Sequence, residues 1–171
     1  MRVIKLALLS FIFLFAIVTL ISLFIPGHIR ISKAMNTAQT KEQVYKYINL
    51  PSAWKKWHPA LKNLPAGEII VLKDGNVQVK GTTISVAGRK EEEMLFEIIQ
   101  QKSKPVLSGM KLIQHPGSDS LTVQWYMDFK LQWYPWEKFK SLFYENIYGV
   151  QMEQGLANLK ELLEDRHSSI N

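Results

Sequence analysis

Hydrophobic and polar positions divide this chain into one unbroken apolar run and a longer stretch of mixed, periodic sequence. From Leu6 to Ile25 it reads LALLSFIFLFAIVTLISLFI, twenty residues without a charge, proline, glycine or amide, and fifteen of them are Leu, Ile, Phe or Val. A helix of that length rises about 30 Å, the thickness of a bilayer's hydrocarbon core. Each of those fifteen contributes roughly −0.3 to −0.6 kcal/mol near a helix centre, so insertion is favoured even with two serines and a threonine counted against it. The pattern predicts an N-terminal transmembrane anchor over residues 1–26. A cleaved signal peptide is the rival reading, since Arg2 and Lys5 form a short positive leader. The run is longer than a signal peptide's apolar region, and Ser22–His28 lacks the small-x-small pattern of a cleavage site. An uncleaved anchor is therefore expected. Arg2, Lys5 and the free amine nearly balance Arg30, Lys33 and Lys41 across it. A short basic tail tends to stay inside, which predicts a cytoplasmic N-terminus and a domain on the outer (periplasmic or extracellular) face.

Strand-like sequence begins at His28, directly after Pro26-Gly27, so the linker is almost absent. Thr40 with Gln43 three residues on forms a capping box ahead of a helix whose apolar face is Val44, Tyr45 and Ile48. Pro51 restarts a second short helix carrying Trp54 and Trp57, ended by Pro59. From there to about residue 134 the pattern is β. Gly67–Leu72 is a strand, and Asp74-Gly75-Asn76 is a turn. Val77–Ala87 reads as one strand whose apolar phase flips at Gly81, the mark of a bulge or kink. Two further strands cover 94–101 and 106–114.

The last strand is the clearest. Leu121, Val123, Trp125, Met127, Phe129, Leu131 and Trp133 alternate with polar neighbours for thirteen residues, placing one face on a core and the other, with Asp128, in water. At about 3.3 Å per residue it would reach roughly 43 Å, long enough that the sheet must curve. Met152, Leu156, Leu159 and Leu163 then form one helical apolar stripe, with Gly155 on the same face for close approach or empty room. The expected fold is α+β: a curved antiparallel sheet of six or seven strands gripping a long C-terminal helix, with two short helices after the first strand. This domain spans 27–165, and 166–171 is expected to fray.

Composition narrows the chemistry. Net charge is +6, and +4 without Arg2 and Lys5, with arginine after the anchor only at 30, 89 and 166. There is no clustered basic face for nucleic acid. The absence of cysteine removes thiol catalysis, disulfides and Cys-ligated metal sites. Histidines stand at 28, 58, 115 and 167, none at metal-ligand spacing, and neither metal nor cofactor is expected. His58 is the best general-base candidate, but it sits at a helix boundary where capping is the plainer role. Trp125, Met127, Phe129 and Trp133 project from one strand face towards Met152, Leu156 and Leu159. With Trp54, Trp57 and Phe96 they suit an adaptable apolar pocket, and equally a filled core.

Three motifs in order resemble the START-like helix-grip superfamily, the SRPBCC or polyketide-cyclase-like group. They are T-x-x-x-V-Y-x-Y-I (Thr40 to Ile48), W-x-x-W-x-P (Trp54, Trp57, Pro59) and G-x-x-x-x-x-G-L-x-x-L-K (Gly149 to Lys160). The resemblance spans 28–164. It implies a cavity between sheet and helix that holds a lipid, sterol, polyketide or other apolar molecule, and it carries no shared catalytic residue. The aromatic segment Tyr134–Phe139 departs from the pattern and suits a lid or a wedge into lipid. The expected function is membrane-anchored binding of an apolar small molecule or lipid. The alternatives are a cyclase- or hydrolase-like enzyme using His58, and a ligand-free module that regulates a neighbouring membrane protein.

Overall fold

In a computed structural model, which describes residues 2–101 and 103–168, the apolar run forms helix α1 (Arg2–Leu23). Twenty-two residues long, it can cross a membrane by length and composition. Its apolar side chains lie almost entirely bare. Its hydroxyls are satisfied locally, Thr19 Oγ1 donating to the Phe15 carbonyl and Ser22 Oγ to that of Thr19.

Strand β1 (His28–Thr37) leads into helix α2 (Lys41–Ile48). The capping box is formed: Gln43 N–H donates to Thr40 Oγ1, and Thr40 N–H donates to Gln43 Oε1 at 2.9 Å. A 3₁₀ turn (Pro51–Lys56) and the short helix α3 (Pro59–Lys62) follow. Trp57 donates its indole N–H to the Tyr47 carbonyl at 2.9 Å and Trp54 donates to that of Ile48 at 3.3 Å. These bonds satisfy carbonyls that the end of α2 leaves without helical partners.

Strands β2 (Ile69–Val71), β3 (Val77–Val79), β4 (Thr82–Lys90), β5 (Glu93–Gln100), β6 (Val106–Gln114) and β7 (Leu121–Lys130) complete an antiparallel sheet. Its spatial order is β1-β7-β6-β5-β4-β3-β2. The expected single strand over Val77–Ala87 is in fact a hairpin. Lys80 (φ 45°) and Gly81 (φ 77°) form its two-residue turn, and Val77 pairs with Ile84. A turn with φ > 0 at both central residues matches strand twist, and glycine adopts it without steric cost. The bulge lies further on, between Val86 and Gly88.

β7 is shorter than its alternation suggested. It ends at Lys130, opposite His28, with one further backbone bond from the Leu131 N–H to the Gly27 carbonyl at 2.8 Å. Asp128 is also less exposed than expected. Arg30 grips it through two 2.7 Å hydrogen bonds, and the guanidinium also lies 4.2 Å from the centre of the Tyr126 ring. That pairing holds the Asp128 carboxyl below the usual carboxylate range.

Helix α4 (Pro135–Ser141) and a π-turn (Glu145–Gly149) precede the long helix α5 (Val150–Ser168) on the sheet's inner face. α5 continues three residues into the stretch expected to fray, and 169–171 lie outside the described residues. Met152, Leu156, Leu159 and Leu163 are buried against Ile31, Trp125 and the two helix-borne tryptophans. Gly155 answers the question of its missing side chain with close approach: a Cβ there would lie 2.9 Å from the Trp125 ring and 3.1 Å from Pro59.

Candidate ligand pocket

The space between sheet and C-terminal helix has two halves. Towards α3 it is filled. Trp54 meets Phe96 edge-on at 4.5 Å, and Trp57 meets Trp125 at 5.5 Å. Phe96, Met152, Leu156 and Leu159 complete this solid packing, each at most 2% exposed. Seven of the ten predicted cavity residues therefore sit in the packed core: Trp54, Trp57, Phe96, Trp125, Met152, Leu156 and Leu159.

Towards α4 the same space opens into a pocket of about 550 Å³. The end of β7 supplies Met127 and Phe129, the two predicted residues that do line it. Ile98 of β5, Val106 of β6 and Leu131 extend the apolar wall. Tyr144 and Tyr148 form the opposite wall, packed on Phe129 at 4.7 and 4.8 Å. Burial raises the Tyr144 phenol, keeping it a neutral hydroxyl. Lys104, Lys130 and Lys140 stand around the pocket with a single carboxylate, Glu137. Trp136 of α4 closes one side.

The sequence placed Trp133 in this lining. Instead it follows the end of β7 and is 65% exposed, its ring tilted against Tyr134, which in turn stacks on Trp136. The two tyrosines went unread, although Tyr144 and Tyr148 extend the four-residue rhythm of Met152 and Leu156 backwards through Gly149.

His58 is not among the pocket-lining residues. Its Nδ1 accepts the Ala60 N–H at 3.2 Å and so caps α3, while its ring stacks on Trp54 (5.6 Å) and lies 5.2 Å from Trp125. Burial among these rings pushes its imidazole down to about 4, so it is neutral at physiological pH. Among the described residues, no three His, Cys, Asp or Glu side chains converge as metal ligands. A second hollow of about 470 Å³, bordered by Lys41, Glu42, Tyr45, Lys46, Glu91 and Leu112, has mostly charged walls.

No protein-family model matches the sequence, and no curated protein matches it. Solved structures do match its shape. A START superfamily protein from Mycobacterium smegmatis superposes with a TM-score of 0.53 at 17% identity, covering 81% of this chain and 99% of that one. The aromatase/cyclase StfQ of the steffimycin biosynthetic pathway gives 0.56 at 11% identity, over 82% of this chain and 52% of that two-domain protein. A Thalictrum norcoclaurine synthase gives 0.58 at 11% identity, over 82% and 96%. This is the START-like helix-grip fold. At such identities the likeness establishes architecture alone. In this chain the fold carries a core filled with tryptophan at one end and a pocket at the other, with α4 between that pocket and α1.

Proposed function

We propose that this is a membrane-anchored START-like domain that binds an apolar small molecule or lipid between the end of β7 and the start of the C-terminal helix. The observation that carries the reading is the 550 Å³ pocket itself, walled by Met127, Phe129, Leu131, Ile98 and Val106. Its volume lies in the range of small-molecule sites, and its apolar wall is ringed by polar and charged side chains, among them Thr82, Gln100, Ser103, Gln132 and the three lysines with Glu137. α1 supplies the anchor, and its short basic tail favours the domain on the outer face. A signal sequence fits the same helix by length and composition. Retention of residues 1–26 in the mature chain separates the two. A cysteine introduced as Asn171→Cys, in a chain with no other, tests orientation through labelling of intact cells by an impermeant maleimide.

The pocket weighs against a module whose core is solid throughout. His58, committed to capping α3 and absent from the pocket wall, offers no support to an acid/base enzyme. The deciding experiment is native mass spectrometry of the full-length chain released from nanodiscs, followed by solvent extraction of whatever it carries. A one-to-one apolar adduct is expected. A bare mass that persists after fatty acids and phospholipids are added overturns the reading in favour of an interaction module.

A further inference from the structure

The end of α1 and helix α4 form one joint. The two helices pack together, and Lys138, 8% exposed, donates its ammonium to the Ile25 carbonyl just beyond the end of α1. Around that joint the surface is unusually apolar. Trp133 and Trp136 are 65% and 64% exposed, and Leu142, Phe143, Ile147 and Val150, further along the chain, are also exposed. Six large apolar side chains within eighteen residues of sequence are exposed, a concentration of bare apolar surface of the kind that marks an interaction site. Two observations name its occupant. The patch adjoins the end of a helix long enough to span a bilayer, and tryptophan is enriched at the headgroup level of membranes. Lys130 and Lys140 near its pocket side add cations that anionic headgroups attract.

We propose that the patch from Trp133 to Val150 lies in the headgroup layer of the same bilayer that α1 crosses, a reading that rests on α1 being an uncleaved anchor. The domain then touches its membrane twice, through α1 and through this patch. α4 is at once a wall of the pocket, through Trp136, Glu137 and Lys140, and the element seated on α1. The pocket mouth consequently faces lipid, and a ligand passes between bilayer and pocket beside Trp136 without crossing bulk water.

Tryptophan fluorescence in full-length chain reconstituted into phosphatidylcholine–phosphatidylserine nanodiscs tests this directly. The chain has five tryptophans, none of them in α1. Trp54, Trp57 and Trp125 are buried in the core, while Trp133 and Trp136 are exposed. Phospholipids brominated near the headgroup end of the acyl chain are expected to quench part of the emission, and those brominated near the terminal methyl to quench less. W133F/W136F is expected to lose that quenching while the core emission persists. Equal quenching in both proteins, or none in either, overturns the docking. Absent quenching together with chemically cross-linked pairs of chains assigns the patch to a second copy instead. A chain that alkaline carbonate strips from the bilayer overturns the anchor reading and the docking with it. A chain that resists carbonate yet shows no quenching overturns the docking alone.

Discussion

Trp125 on β7 donates its indole N–H to the hydroxyl of Ser108 on β6, 2.9 Å away, where both side chains are buried. Ser108 Oγ passes the interaction on by donating to the Tyr126 carbonyl at 3.2 Å. A tryptophan can be the largest element of a core only when its N–H has a partner. Ser108→Ala leaves that donor without one, and the expected loss is about 1–3 kcal/mol. Urea unfolding followed by circular dichroism measures it. An unchanged midpoint would mean the indole is satisfied some other way.

Gly155 sets two effects against each other. Alanine is favoured over glycine within a helix by about 1 kcal/mol. At this position, however, the new methyl meets the Trp125 ring at 2.9 Å and Pro59 at 3.1 Å, and neither ring yields easily. Overpacking costs about 1–3 kcal/mol, so Gly155→Ala is expected to destabilise despite its propensity gain. A raised melting temperature would contradict the seating of α5 on Trp125.

His58 predicts a pH dependence of stability. Its ordinary value near 6.5 in the unfolded chain falls to about 4 in the folded protein, so between these limits the unfolded state binds the extra proton. Stability therefore declines as pH falls from about 6.5 towards about 4. His58→Asn, which keeps a capping acceptor but cannot titrate, is expected to flatten that part of the profile. A parallel decline in both proteins would assign the acid sensitivity elsewhere.

Pocket and core are expected to respond oppositely to substitution. Ile98→Trp introduces bulk into open space and should abolish the adduct expected in native mass spectra while leaving the melting temperature nearly unchanged. Phe96→Ala, two residues earlier on β5 but in the filled half, should cost about 3–5 kcal/mol through a cavity. A ligand retained in full by the first variant would move the binding site away from this pocket.

Much of the architecture is legible from local chemistry. Thr40 and Gln43 announce their helix because a capping box needs only residues three apart, and the alternation of β7 reports a buried face without reference to any neighbour. What eluded the sequence depends on partners. A two-residue hairpin and a bulge leave the same phase flip, so Lys80-Gly81 passed for a kink within one strand. Leu131 and Trp133 keep the period of β7, yet the strand pairing with β1 ends at His28, and one last bond, from the Leu131 N–H to the Gly27 carbonyl, lies just outside it. The pocket was half visible for a similar reason. Periodicity identifies which residues face inwards, as with Met127 and Trp125, but not which of them leave space between themselves and the opposite helix. That depends on what the opposite side supplies: Tyr144 and Tyr148 line the open pocket, while Gly155 brings α5 close against Trp125 and Pro59.

Only Phe24–Gly27 lie between Leu23 and His28, and four extended residues reach about 14 Å at most. With α1 held in a bilayer, such a join makes the domain a fixed station and not a ferry. It cannot swing across the aqueous gap to a second membrane, so any cargo must be taken up and surrendered at its own surface. Its rate of exchange would then follow lateral encounters within that membrane, and would respond to how crowded and how fluid the surrounding lipid is.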